Sequence, residues 1–131
     1  MIDWTRIERA STDVAAKAAQ ALPEGKAGKV AAPWPMAKKL PDISQLDFGD
    51  ATQQTVSIKS LLASTKRLNK AKLVAHIKSG AAPIRTNPFT TPGPLLTKTD
   101  EGLTIVDGHH RLAAMQMLGK DSVKLWVVPA T

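Results

Sequence analysis

The fold is decided by residues 103–119, which read LTIVDGHHRLAAMQMLG. The first four residues are an apolar, partly β-branched run that predicts a strand. Residues 109–118 predict a helix, which Gly119 ends. Two histidines and an arginine thus occupy the first turn of a helix, where the macrodipole is positive and N–H groups lack intrahelical acceptors. Cations are unfavourable at this end, so we interpret residues 108–111 as arranged around an anion, most simply a phosphate.

The rest of residues 54–131 shows the alternating elements of one small domain. Residues 95–98 and 103–106 flank a turn at 99–102 that ends in glycine, which predicts a β-hairpin. Residues 69–79 predict a helix followed by Gly80 at its C′ position. Two more strands are predicted at 55–58 and 123–128, with a helical turn at 59–62. The pattern predicts an α+β (mixed α/β) fold in which helices pack on a small mixed sheet.

The first 53 residues differ in pattern from the domain that follows them. Residues 1–22 predict an Ala-rich helix whose thin apolar stripe includes Trp4, Ile7, Val14 and Ala18. Such a stripe must pack on something larger, either in the same chain or on a partner. Residues 23–53 are rich in proline and glycine and predict an extended connection. Trp34, between two prolines, is interpreted as an anchor on the domain surface, with a partner-binding hook as the alternative.

Length and composition exclude several classes of protein. A chain of 131 residues predicts one domain, with or without an appendage. It contains no cysteine, which excludes disulfides, thiolate nucleophiles and thiolate zinc sites. The three histidines lack metal-ligand spacing, so no metal site is predicted. No stretch is apolar enough to predict a membrane span or a signal peptide, and we expect a cytoplasmic location.

The net charge of +7 is unevenly distributed along the chain. Residues 1–50 carry seven Lys/Arg and seven acids, whereas residues 51–131 carry eleven Lys/Arg and four acids. The entire excess therefore lies in the half that contains residues 108–111. Such a field favours nucleotides and polyanions, including nucleic acid.

Each residue of the junction 107–111 has a chemical role open to it. Gly108 has no Cβ and would let a ligand approach the backbone, while Arg111 presents a fork of donors for phosphate oxygens. His109 and His110 are able to donate to a phosphate or act as acid or base. Asp107 is suited to orienting a histidine, contacting a divalent ion or activating water. We expect Arg111 and the dipole to keep both histidines neutral until an anion binds, so that anion affinity rises as the pH falls.

The residues 106–114, VDGHHRLAA, resemble the ParB/sulfiredoxin superfamily, in which a similar element follows a hairpin and precedes a short helix and a last strand. The resemblance covers about residues 54–129 and implies a nucleotide site with residues 108–111 as its phosphate-binding turn. The sulfiredoxin helix pattern Leu-Val-x-x-Ile matches residues 73–77, which implies that Asn69, Lys72 and His76 face the nucleotide. From their helical spacing alone, those three residues form only a polar surface stripe.

The resemblance does not assign a particular reaction to this chain. His109 stands where the sulfiredoxins of this superfamily have their nucleophilic cysteine. The partition proteins of the same superfamily have a glutamate at this position. The sequence-based expectation is therefore a domain that binds ATP or a related nucleotide with Mg²⁺ and hydrolyses or transfers a phosphoryl group, with Asp107, His109 and His110 as catalytic candidates. The alternative is a non-catalytic module that binds nucleic acid or protein through the basic 54–131 half and the N-terminal helix. A nuclease ranks lower because residues 51–131 contain few acids besides Asp107.

Overall fold

The computed structural model describes residues 4–81 and 93–130, with side chains of the first helix described from Thr12 onward. Within these ranges the chain forms three α-helices and six strands, joined in part by short 3₁₀ turns. The helices are α1 (Trp4–Gln20), α2 (Lys70–Lys78) and α3 (His109–Met117). The strands are β1 (Lys29–Ala31), β2 (Thr52–Ser57), β3 (Arg67–Asn69), β4 (Leu95–Thr99), β5 (Gly102–Asp107) and β6 (Ser122–Val128).

Two sheets organise these elements. The larger has the strand order β2-β6-β4-β5, in which β4 and β6 are parallel and the other neighbours are antiparallel. The smaller consists of β1 and β3, paired antiparallel with Lys29 opposite Asn69. The predicted small mixed sheet with helices, an α+β fold, is confirmed.

Most elements of the predicted domain lie close to their expected positions. The hairpin β4–β5 forms with Thr99 opposite Gly102. The two predicted helices end as expected, with Gly80 and Gly119 both at positive φ. The strand predicted at 55–58 instead begins at Thr52, because the polar residues before Thr55 pair with the outer edge of β6 and need no apolar pattern. The helical turn expected at 59–62 is a 3₁₀ turn at Ile58–Ser60. Residues 82–88, in which two prolines predict a loop, lie outside the described residues.

The N-terminal helix packs within the chain, on α2 and α3, through a face that differs from the predicted stripe. Ala19 is 0% exposed and Ala15 is buried beside it, whereas Val14 is 66% exposed and Ala18 also faces solvent. The stripe through Val14 and Ala18 is therefore wrong. The small alanines let α1 approach α2 closely, and this packing outweighs the larger apolar side chain in choosing the buried face.

The proline-rich residues 23–53 contain little regular structure, but they supply part of the main core. Val30 lies in β1 and is 2% exposed, and Trp34 is 5% exposed. The Trp34 indole N–H donates to the carbonyl oxygen of Ile58 at 2.8 Å. The interpretation of Trp34 as a surface anchor is therefore wrong, since its ring is inserted in the core and its polar atom is satisfied there.

No helix in the described part of the chain is long and apolar enough to cross a membrane.

Candidate anion-binding site

The junction between β5 and α3 is held in a conformation that only glycine adopts easily. Gly108 has φ 87° and ψ 24°, in the left-handed region, and is the N-cap residue of α3. A Cβ added at Gly108 would lie 2.5 Å from the Pro94 Cα and 2.9 Å from the Pro94 nitrogen. The close approach that requires glycine here is thus made by the chain's own backbone. The Gly108 N–H donates to Asp107 Oδ1 at 2.9 Å, which fixes the carboxylate beside the turn.

An open cavity of about 640 Å³ lies in front of this junction. Its lining gathers side chains from β1, the segment before α2, α2 itself and the start of α3. Four carry a fixed positive charge and only Asp107 carries a negative one, which leaves an excess of three positive charges while the histidines are neutral. The described lining residues are Lys29, Thr65, Arg67, Lys72, His76, Gly93, Asp107, Gly108, His109, His110 and Arg111.

Asn69 is the one predicted site residue that does not line this cavity. Its side chain is the N-cap of α2, because Asn69 Oδ1 accepts from the Lys72 N–H at 3.0 Å. Its own backbone N–H donates to His110 Nε2 at 2.9 Å. Asn69 thus has a partner within the fold for its side chain and another for its backbone N–H, whereas Lys72 and His76 line the cavity.

His109 is 9% exposed, and its ring is in contact with Ser64 and Trp34. Its Nε2 lies 3.0 Å from the Ser64 backbone nitrogen, which donates to it. The Ser64 hydroxyl lies 3.3 Å from the same Nε2 and 2.6 Å from the Ile105 carbonyl oxygen, to which it donates. The Trp34 ring meets His109 edge-on at 6.3 Å between centroids. Burial, reinforced by the charge of His110 and opposed by Asp107, lowers the pKa of His109 from 6.5 to about 4.

His110 is partly buried and is held in a similar way. Its Nε2 accepts from the Asn69 N–H, and its ring lies 6.4 Å from that of His76. Burial lowers the pKa of His110, with further lowering by Lys72, His76 and Lys29. The pKa of His76 is lowered by burial and then by Arg111 and Lys72. The predicted neutrality of the histidines agrees with these directions, although burial contributes more than the neighbouring charges.

The hydrogen bonds fix the chemical state of both junction histidines. A nitrogen that accepts from a backbone N–H carries no proton, so we assign the ring proton of His109 and of His110 to Nδ1. Nε2 of these rings is therefore not available to donate to a phosphate. Within the described residues, His76 is the cavity histidine whose ring makes no hydrogen bond, and it is the better candidate for direct contact with an anion.

Sequence reasoning missed two of the four cationic side chains in the lining. Lys29 lies in the segment predicted as a connection, and it reaches the cavity because β1 pairs with β3. Arg67 belongs to the basic pair at 66–67 just before the predicted helix, a signal that was present in the sequence. Thr65 and Gly93 complete the lining and carried no comparable signal.

Comparison of this chain with family models, with curated proteins and with solved structures gave no match. The resemblance to the ParB/sulfiredoxin superfamily therefore stays a prediction.

Proposed function

We propose that the cavity at the β5–α3 junction binds a polyphosphate chain, most simply that of a nucleoside triphosphate. The proposal is supported above all by the charge balance of the lining, in which four cationic side chains share the cavity with one carboxylate. The cations are Lys29, Arg67, Lys72 and Arg111. These cations come from separate elements and converge where the N–H groups at the start of α3 point outward. Such a convergence of like charges is unfavourable without an anion, and an anion with several charges relieves it.

The lining favours recognition of the phosphates over recognition of the base. Among the described lining residues the only rings are the three imidazoles, so no indole or phenyl face is offered for stacking a base. We therefore expect affinity to follow the number of phosphate charges and to depend little on base identity. Binding of this kind weakens with added salt.

The proposal includes phosphoryl transfer with Asp107 as the base, and it includes Mg²⁺ only as an ion bound by the phosphates. In the described parts of the chain no group of three or more metal-binding side chains converges. With a single carboxylate, already bonded to the Gly108 N–H, the lining does not fit a resident magnesium ion. We assign no lining residue as a metal ligand, so any Mg²⁺ would be bound by the phosphates alone. Asp107 would be the base for an attacking hydroxyl or water, because neutral His109 and His110 have Nε2 engaged.

Calorimetric titration of the full chain with ATP, GTP, AMP and tripolyphosphate, with and without Mg²⁺, tests this proposal. We expect similar affinities for ATP, GTP and tripolyphosphate and a weaker one for AMP. Arg111→Ala should weaken tripolyphosphate binding by about tenfold, the worth of a charge-assisted contact. The matched control is Lys120→Ala, which removes an exposed lysine outside the lining.

The outcomes separate the alternatives. Equal affinity of the native chain and Arg111→Ala would overturn the phosphate site. Tight binding of a short DNA duplex that tripolyphosphate cannot displace would favour the nucleic-acid module. Phosphate release that Asp107→Asn abolishes would support an enzyme, and binding without product would leave a nucleotide-binding module. A cytoplasmic location, where nucleotides are abundant, is part of the same proposal.

A further inference from the structure

One short segment, residues 64–69, crosses from the large sheet to the start of α2 and forms one wall of the cavity. It leaves the edge of β5, where the Ser64 hydroxyl donates to the Ile105 carbonyl oxygen. It then runs along β1, since the Ala32 N–H donates to the Lys66 carbonyl oxygen and β3 pairs with β1. On the way it places Thr65 and Arg67 in the cavity lining. We name residues 64–69 the crossing segment.

Both ends of the crossing segment are tied to the first turn of α3 by the two adjacent histidines. The N–H of Ser64 donates to His109 Nε2 at 3.0 Å, and the N–H of Asn69 donates to His110 Nε2 at 2.9 Å. An imidazole accepts such a bond only while that nitrogen is unprotonated, because an imidazolium has donors at both nitrogens. Protonation would place two N–H groups face to face at each tie.

We propose that His109 and His110 are positioning residues that hold the crossing segment against α3 as neutral imidazoles, and that their protonation weakens anion binding by releasing Thr65 and Arg67. The inference rests on the proposed phosphate site. It reverses the pH dependence that direct contact would give, since a histidine that contacts an anion binds it more tightly when protonated.

The surroundings of the two rings support the neutral state. His110 faces Lys72 and His76 from α2 and Lys29 from β1. His109 faces the charge of His110 and, with opposite sign, that of Asp107 at the end of β5. Arg111 comes directly after the two histidines in the sequence, and its charge lowers the pKa of His76. Asp107 is thus the single anionic group among the charges that act on these rings, and His76 is the ring whose protonation would assist binding. The test therefore uses a chain in which His76 is replaced.

The ties themselves are tested without any ligand. Long-range proton–nitrogen NMR spectra of the native chain at neutral pH should show the Nδ1–H tautomer for His109 and His110. Hydrogen exchange of the Asn69 amide should accelerate by about tenfold in His110→Ala, while His110→Gln, whose Oε1 can accept the same bond, should stay close to native. The Ser64 amide is the internal control, because its tie is made by the other histidine. An Nε2–H tautomer, or exchange unchanged in His110→Ala, would overturn the inference.

The effect on binding is measured with trimetaphosphate, whose charge stays constant through the range in which histidine titrates. In the His76→Gln chain, with folding verified by circular dichroism, we expect affinity to fall by about twofold to threefold between about pH 7.5 and pH 5.5. His110 supplies this fall, because the pKa of His109, about 4, keeps that ring neutral over the range. Adding His110→Gln should flatten much of this profile, because that tie no longer titrates. Affinity that rises as the pH falls, or a profile unaffected by His110→Gln, would overturn the inference. Absence of binding of both trimetaphosphate and tripolyphosphate at every pH would overturn the proposed function and the anion part of this inference. The NMR signals would still decide the positioning role of the histidines.

Discussion

Replacement of Gly108 by alanine tests the backbone geometry on which the site depends. Gly108 combines a left-handed conformation, φ 87°, with a close approach to Pro94. An alanine there would be strained by its conformation and would also place its Cβ 2.5 Å from the Pro94 Cα. Since that neighbour is backbone of the residue preceding β4, relief requires β4 and α3 to move apart.

The two costs can be separated because the chain contains a matched glycine. Gly119 has the same φ, 87°, but a Cβ there would have nothing within 4 Å. Gly119→Ala should therefore lose only the conformational cost, about 1–2 kcal/mol. Gly108→Ala should add the cost of the forced contact, about 1–3 kcal/mol, for a total of about 2–5 kcal/mol.

Urea unfolding of the native chain and of both variants, followed by circular dichroism, gives the three free energies of unfolding. A lower midpoint with an unchanged slope would identify a loss of stability and not a change in the unfolded state. We expect Gly108→Ala also to weaken tripolyphosphate binding, because the start of α3 carries Arg111 and the helix N–H groups. Equal destabilisation by the two substitutions would refute the role assigned to Pro94, and a stable Gly108→Ala chain would refute the junction geometry itself.

Two further predictions concern His109 and Asn69. Because the pKa of His109 is lower in the folded chain than its ordinary value of 6.5, the unfolded state binds more protons, so stability is fully present above about pH 6.5 and is lost as the pH falls toward 4. The loss from this ring is at most roughly 3 kcal/mol, and urea midpoints at several pH values should show a slope that His109→Gln reduces; an equal slope in the variant would contradict the assignment. Asn69→Ala should cost about 1 kcal/mol of stability, because the side-chain N-cap of α2 is lost. It should leave tripolyphosphate affinity within about twofold, because the backbone N–H that donates to His110 remains. Asn69→Ser, which keeps a capping oxygen, is the control, and a large loss of affinity in Asn69→Ala with stability retained would instead support the ligand contact implied by the family resemblance.

The elements that could be predicted from the sequence are those whose signals are local. The hairpin, α2 and α3 each carry their turn glycine or cap within a few residues of the element, and each was predicted close to its final bounds. The pairing of β1 with β3 had no such signal. Each strand has three residues, and the pairing joins Lys29 to Asn69, which are separated in the sequence by a segment that includes all of β2. Short strands paired at long range are chosen by packing of the intervening chain, which no periodicity records.

The same distinction explains the error at Trp34. Proline on both sides of a tryptophan indicates an extended backbone, and this was a sound basis for placing the segment outside regular structure. The flanking prolines do not indicate whether the tryptophan side chain is buried or exposed. The indole is buried because Ile58 offers a carbonyl oxygen to its N–H and the His109 ring packs against it at an interplanar angle of 63°. Those partners lie far along the chain, so burial of Trp34 is a property of the assembled core.

The charges of the site also differ from those in the sequence argument, and the difference strengthens the phosphate proposal. The sequence places three potentially cationic side chains at the unfavourable end of α3. Two of them are neutral, held so by burial and by backbone donors at Nε2, which leaves Arg111 as the fixed charge of that turn. The positive potential is instead built by Lys29, Arg67 and Lys72, which approach from β1, β3 and α2. A single cation near a helix start is weak support for a ligand, whereas four fixed cations brought together by separate elements repel one another unless an anion lies between them. The fold tolerates that repulsion around a cavity large enough for a polyphosphate, and the histidines contribute by holding one of its walls in place.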